Sequence, residues 1–186
     1  MSIQYTQVSQ DAEIQQILDL QQVNLPKNIS KEEAISQGFV TVEYTFSLLK
    51  RMNDLAPSTI AKDGEKVIGY CLSMLAELKN DVPVLVPMFE MIEKIDYQGK
   101  KLSDSPYVIM GQVCVDKNYR GLGVFDGMYQ AMRSYFENQF DKVITEVALR
   151  NTRSMKAHQR VGFQNIHEYA TPNGEHWAIV VWDWRK

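Results

Sequence analysis

The sequence predicts an α/β fold in which a mixed central sheet is flanked by helices. Three observations carry that expectation. From residue 107 onward the chain reads strand, helix, strand, short helix, and then two strands joined by a turn. Earlier, Asp63-Gly64 stands between two apolar runs, a strong local hairpin signal. Apolar residues elsewhere recur at helical spacing in stretches long enough to pack on a sheet.

The elements follow in order. Ile3 to Val8 alternates as a short strand, and Ser9 or Asp11 offers a cap for the helix behind it, with Ile14, Ile17, Leu18 and Gln21 on one face. A second helical stretch is expected after the Ser30-x-x-Glu33 capping box. Residues 39–55 read less clearly, although Tyr44, Leu48, Leu49 and Met52 suggest a helix face. Pro57 to Lys62 and Val67 to Leu75 form the hairpin arms. Residues 77–106 interrupt the pattern with Pro83, Pro87, a helical piece around Met88–Ile95 and a polar turn at 98–101. Their apolar content predicts an ordered flap. A strand at Tyr107–Val115, a loop at Asp116–Gly123 and a helix of about four turns follow. That helix carries Phe125, Met128, Met132, Tyr135 and Phe136 on its apolar side. Val143–Leu149, Thr152–Val161, Phe163–Ala170 and His176–Trp184 complete the series as strand, helix, strand and strand.

Composition narrows the function classes. With 186 residues, 45% hydrophobic and 23% charged, the whole chain 1–186 reads as one globular domain able to bury a core without metal or disulfides. A formal net charge of −3 gives no support for binding nucleic acid through bulk positive charge. No apolar run approaches the roughly 20 residues of a membrane helix, and MSIQYTQVSQ lacks the features of a signal peptide, so no membrane role and a cytoplasmic location are expected. Cys71 and Cys114 lie in apolar, strand-like runs without metal-ligand spacing and read as buried thiols. His167 and His176 straddle the last hairpin, but two histidines without further ligands make a poor metal site, so no metal is expected.

The most informative segment is Val113-Cys114-Val115-Asp116-Lys117-Asn118-Tyr119-Arg120-Gly121-Leu122-Gly123-Val124-Phe125. A strand leaves through a polar turn into two glycines, and a helix starts at once. The first amides of that helix lack intrahelical partners and carry the positive end of its dipole. Two glycines allow an anion close to the backbone, and Arg120 adds a fork suited to phosphate. Together they read as a pyrophosphate cradle. It is neither a dinucleotide fingerprint nor a Walker loop, because the third glycine and the Gly-Lys-Ser/Thr ending are absent. Taken alone, it could equally be a tight strand-to-helix turn.

Downstream, Asn151-Thr152-Arg153-Ser154-Met155-Lys156-Ala157-His158-Gln159-Arg160-Val161-Gly162-Phe163 follows a strand. With the first motif, this resembles the GNAT superfamily of N-acetyltransferases, which pairs strand–Arg-Gly-x-Gly–helix with Asn-x-x-Ala/Ser-x-x-x-Tyr-x-Lys-x-Gly-Phe. The close match covers roughly 107–165. The resemblance implies a mostly antiparallel sheet with a splayed parallel pair, acetyl-CoA as acyl donor, and transfer to a primary amine on a small molecule or peptide. A homodimer is compatible with it.

Roles follow position by position from the resemblance. Arg120 and the amides of Gly121, Leu122, Gly123, Val124 and Phe125 would hold the pyrophosphate. The edge of Val113, Cys114 and Val115 would pair with the pantetheine arm, the Val115 amide polarising the thioester carbonyl. Asn151 and Ser154 would contact that arm. His158 stands where the family's tyrosine commonly protonates the departing thiolate, and it could do the same, contact the coenzyme, or be a helix histidine that only hydrogen-bonds locally. Phe125 replaces a small residue and must turn inward, away from the phosphates. For the general base, Glu146, Glu77 and Glu43 are candidates beside ordered water. Residues 20–56 and the insertion 77–106 are expected on the acceptor side, with Met88 and Met91 available to line an adaptable pocket. Cys114 lacks a histidine partner, which argues against a covalent acyl-enzyme. Two alternatives stay open: a non-catalytic acyl-CoA sensor, and a transferase of a longer acyl group.

Overall fold

The computed structural model describes residues 2–30, 32–33 and 39–186. Seven strands make one sheet in the order β1-β2-β3-β6-β7-β9-β8, and a two-stranded ribbon, β4-β5, stands apart. The strands are β1 (Ile3–Gln7), β2 (Thr59–Asp63), β3 (Lys66–Met74), β4 (Asp96–Tyr97), β5 (Lys100–Lys101), β6 (Tyr107–Val115), β7 (Lys142–Ala148), β8 (Gln164–Ala170) and β9 (His176–Asp183). The helices are numbered here α1 (Asp11–Val23), α2 (Phe46–Leu55), α3 (Val86–Lys94), α4 (Val124–Phe136) and α5 (Thr152–Val161). Every neighbouring pair in the large sheet is antiparallel except β6 and β7. The mixed sheet read from the sequence is therefore the fold observed, splayed pair included.

Strand alternation gives the sheet two buried faces. Ile109, Ile144, Ile179 and Val181 enter one core layer, which α1, α2 and α3 cover with Ile14, Ile17, Met52, Met88 and Ile92. Val108, Val143, Val147 and Val180 enter the other, under α4 and the end of the chain. There Met128, Tyr129, Met132, Phe136, Phe163, Trp182 and Trp184 pack together. Each such side chain removed from water contributes about 1.5–3 kcal/mol, so the two layers fix how α4 and α5 stand against the sheet. Trp182 and Trp184 do share a face, with ring centroids 6.0 Å apart.

Local chemistry sets several boundaries differently from the sequence reading. Neither Ser9 nor Asp11 caps α1. Gln10 is its N-cap, and the Glu13 carboxylate reaches back to accept from the amides of Ser9 (2.8 Å) and Gln10 (3.2 Å). The β2–β3 hairpin closes one residue later than Asp63-Gly64, since Asp63 pairs with Lys66 across a Gly64-Glu65 loop. Tyr44 precedes α2 and reaches across to β6. His167 and His176 do not face each other. His167 opposes Ile179 and His176 opposes Ala170, with a bulge between Asn165 and His167. At the Ser30 capping box, the Glu33 amide donates to Ser30 Oγ at 3.0 Å. The remainder of the helical stretch expected there lies outside the described residues.

Residues 77–106 form the expected ordered flap. Two 3₁₀ turns lead into α3, and the β4–β5 ribbon folds back with Gln98 and Gly99 both at positive φ, the geometry of a two-residue hairpin loop. Leu78, Leu85, Met88, Phe89, Ile92 and Leu102 seal the flap onto the core.

Candidate active site

The parallel pairing of β6 and β7 lasts only three residue pairs, ending at Ile109 opposite Ile144. Beyond it β6 runs to Val115 and β7 to Ala148 without partnering each other. A bulge in β6 marks the departure: Leu72 faces Gln112 and Ser73 faces Met110, leaving Gly111 between them. Side chains take over where the ladder stops. Thr145 Oγ1 donates to Met110 O at 2.8 Å, Tyr44 Oη to Gly111 O at 3.2 Å, and Arg120 Nε to Val115 O at 3.2 Å. A Cβ at Gly111 would stand 2.9 Å from the Tyr44 hydroxyl and would push that tip aside. The Asp116 amide is spent on Ile68 O in β3. By two-residue alternation the peptide groups of Val115 and Val113 therefore face the gap.

The gap opens into a cleft of about 740 Å³. Val113, Cys114, Val115, Arg120, Gly121, Gly123, Val124, Phe125, Asn151 and Ser154, all singled out by the sequence, line it. Gly121 and Gly123 hold φ of +80° and +78°, and a Cβ on either would meet nothing within 4 Å. The backbone between β6 and α4 is thus bent into the left-handed region and bare toward the cleft, as a phosphate cradle requires. Gly123 caps α4 and gives its carbonyl to the Gly127 amide, so the first-turn amides of Val124, Phe125 and Asp126 precede the helical ladder. Leu122 is 54% exposed at the rim and does not line the cleft.

Arg120 is held in place before any ligand arrives. Its Nη2 donates to Asn24 Oδ1 at 2.7 Å and its Nη1 stands 3.6 Å from Glu33. Asn24, the C-cap of α1, is a site residue that the motifs did not reveal. Opposite the cradle, Asn151 caps α5 by accepting from the Ser154 amide at 3.2 Å. Arg153, Lys156 and Arg160 from the same helix also line the cleft. Their spacing puts them along one helical edge, a signal that was present in the sequence. Arg160 is committed to Asp126 at 2.7 Å.

Two predicted site residues sit differently from their expected roles. Val115 lies at the cradle end of the groove, its carbonyl tied to Arg120, and four residues from Gly111, about 13 Å along a strand. It is therefore beside the phosphate end rather than where the strands part. His158 is 1% exposed and does not line the cleft. Its Nδ1 stands 2.8 Å from Ser154 O, a carbonyl that can only accept, so Nδ1 carries the proton and Nε2 accepts from Tyr129 Oη at 2.8 Å. Burial pushes this imidazole down to about 4, against the opposing pull of the Ser154 carbonyl. Phe125 turns inward as its size demands, standing 5.2 Å from His158 and 5.1 Å from Tyr129 between ring centroids.

The strips of chain that line the cleft continue into a second, smaller cavity of about 30 Å³. Phe39 and Val40 give way to Thr41 and Val42, and Val113–Val115 lead back to Met110 and Gly111. Glu146 lines this cavity, and Leu85 and Met88 bring the flap to it. Burial raises the Glu146 carboxyl to about 7, while a hydrogen bond from Tyr169 Oη partly offsets that rise. The other two carboxylates considered lie elsewhere. Glu43 is exposed and paired with Lys27 at 2.9 Å, and Glu77 is exposed on a 3₁₀ turn, neither lining a cavity. Both cysteines are buried and free, and burial pushes Cys114 up to about 12, far from a thiolate at neutral pH. Among the described residues no group of three or more His, Cys, Asp or Glu side chains gathers as a metal site, and no helix is long and apolar enough to cross a membrane.

The family model for the acetyltransferase (GNAT) family matches residues 15–163. Solved structures share the fold at low identity. Arabidopsis thaliana NAA60 in complex with acetyl-CoA superposes with a TM-score of 0.66 at 13% identity, covering 98% of this chain and 99% of that one. The ribosomal-protein-S18-alanine N-acetyltransferase of Escherichia coli gives 0.62 at 12% identity, covering 98% and 94%. A chain of the NatC complex bound to Gag peptide and CoA gives 0.66 at 12% identity, covering 98% and 99%. None of the curated proteins matches by sequence.

Proposed function

The chain belongs to the GNAT acetyltransferase family, and from that premise we propose that it moves an acetyl group from acetyl-CoA directly to a primary amine within a ternary complex. One observation carries the reading. Along the part of β6 that has left β7 lie two cavities, one walled by the bare glycine turn before α4 and the other by a carboxyl raised to about 7.

Acetyl-CoA would supply an acyl group already activated as a thioester. The residues present suit it. The bare turn at Gly121–Gly123 and the first-turn amides of α4 bind the pyrophosphate with Arg120, whose guanidinium Asn24 pre-orients. Arg153, Lys156 and Arg160 make the same mouth cationic and suit a further phosphate. Val113 and Val115 offer their gap-facing peptide groups to the amides of the pantetheine arm, as one strand does to another. We assign the carbonyl-polarising position to the bulge around Gly111 rather than to Val115, because the bulge lies beside Glu146 and Val115 beside the cradle.

Glu146 takes the proton from an ammonium acceptor, directly or through one water. A carboxyl titrating near neutrality is ionised often enough to accept that proton yet basic enough to draw it away. His158 serves a different purpose from the family tyrosine: neutral and enclosed, it ties α5 to Tyr129 of α4 and so sets the width of the cleft. Release of the thiolate draws no proton from position 158. The small volume beyond the strands' parting favours acetyl over a longer acyl group. Residues 77–106 act as an acceptor-side insertion. NatC bound to Gag peptide and the S18-alanine N-acetyltransferase act on peptide or protein amines by their names, which supports an amine acceptor here.

The withdrawal of His158 favours one second reading, an acetyl-CoA-binding module without transfer. Thiol release from acetyl-CoA, followed with a panel of primary amines, separates the two. Amine-dependent release supports the transferase; tight binding without release from any amine leaves the sensor.

A further inference from the structure

The cavity at the parting of β6 and β7 is marked by what surrounds its one carboxylate. Around Glu146 stand Thr41, Val42, Leu85, Met88 and Trp177, and no lysine, arginine or histidine lines the space among the described residues. The titratable groups facing Glu146 are Tyr169, which donates to it from β8, and Tyr44 from the segment before α2, and both are held protonated. The flap above reinforces the sign. Over residues 77–106 it carries six carboxylates against four lysines. The cofactor cleft has the opposite character, with four cationic side chains and one carboxylate along its wall.

At about 30 Å³ the cavity holds little more than a nitrogen and the carbon bonded to it. A substituent on that carbon has Leu85, Met88, Val42 and Trp177 as apolar neighbours, with Thr41 at the exposed rim. A carboxylate there would lose its water, find no cation, and stand next to Glu146. A methyl, a hydrogen or an amide-capped chain meets none of those costs.

We propose that this cavity admits primary amines whose neighbouring carbon bears no free carboxylate, so that blocked or simple alkyl amines are acceptors and free amino acids are rejected. The selection rests on the reading of Glu146 as the base. Thr41 is the exposed position on the cavity wall from which it can be altered.

The test compares isopropylamine with L-alanine, which differ in replacing a methyl by a carboxylate, using thiol release from acetyl-CoA by the full chain. Isopropylamine is the more basic, so less of it is free amine at neutral pH, and any preference for it comes from the cavity. We expect kcat/KM at least tenfold higher for isopropylamine. In Thr41→Lys, an ammonium at the cavity wall raises the value for alanine and narrows the ratio. Equal or better use of alanine by the unaltered chain overturns the proposal, as does a Thr41→Lys variant that lowers both substrates alike. If neither amine releases thiol while calorimetry detects bound acetyl-CoA, the acceptor class is wrong and the cofactor site stands. If acetyl-CoA does not bind, the reading beneath the proposal has failed.

Discussion

The two cavities along β6 are built by different means. The cofactor cavity is wide, about 740 Å³, and its shape comes from backbone: two glycines at positive φ, the amides opening α4, and gap-facing peptide groups of β6. The other holds about 30 Å³ and is made almost wholly of side chains, drawn from the 39–44 segment, the flap, β6, β7 and β9. One cavity is cationic and open, and the other has a single half-buried carboxylate. Backbone recognition fits an invariant ligand such as a coenzyme, whereas a side-chain chamber can be respecified one residue at a time. On the proposed reading the chemistry is set at the small cavity and the coenzyme affinity at the wide one.

Substitutions at each cavity should separate along that line. The largest effect is expected from Glu146→Gln, which removes the base while keeping the shape: a fall of about 100-fold or more in kcat/KM, with acetyl-CoA affinity unchanged. Steady-state thiol release and calorimetry together check it. Arg120→Ala should do the reverse, weakening acetyl-CoA about 10- to 100-fold through lost charge-assisted bonds, by calorimetry. A variant that moves both quantities equally would erase the distinction between the two cavities.

The pH profile gives the next test. Burial raises Glu146 to about 7, and the base acts ionised, so kcat/KM should climb as pH rises through about 7 and level off above it. Tyr169→Phe removes a bond that favours the ionised form and should move that midpoint upward.

Smaller effects concern stability. His158 is depressed to about 4 in the fold against a reference of 6.5. Its contribution is complete above about pH 6.5, and it diminishes as pH falls toward 4, by roughly 3 kcal/mol at most. His158→Phe, followed by denaturant unfolding, should flatten that dependence. Gly123→Ala meets no steric obstacle, so its cost is conformational, about 1–2 kcal/mol for a φ of +78°.

The same contrast explains how much was legible in the sequence. Motifs that work through backbone have fixed spacing, and the strand–Arg120-Gly121-x-Gly123–helix run lies where its residues foretold, while Asn151, read as a contact to the pantetheine arm, is found capping α5. Strands and helices after residue 107 were readable because apolar periodicity and the two-layer core agree there. The small cavity was readable only as a choice among three glutamates and a flap that carries Met88. Glu146 is one of those three until β6 and β7 part beside it, and Thr41, Leu85 and Trp177 meet only through tertiary packing. Position alone left His158 open between an acid, a coenzyme contact and a locally bonded helix histidine, because alignment with a tyrosine says nothing about which way a ring turns; Tyr129 and the Ser154 carbonyl hold it buried and locally bonded. Asn24 escaped notice because its partner, Arg120, is 96 residues away.

The most direct measurement is calorimetric titration of the protein with acetyl-CoA and, in parallel, with acetyl-pantetheine, which lacks the pyrophosphate and nucleotide. We expect acetyl-CoA to bind at least about 100-fold more tightly, since the cradle and its cations act on phosphate. Equal affinities, or no binding of either, would contradict the cofactor site and the transferase reading built on it.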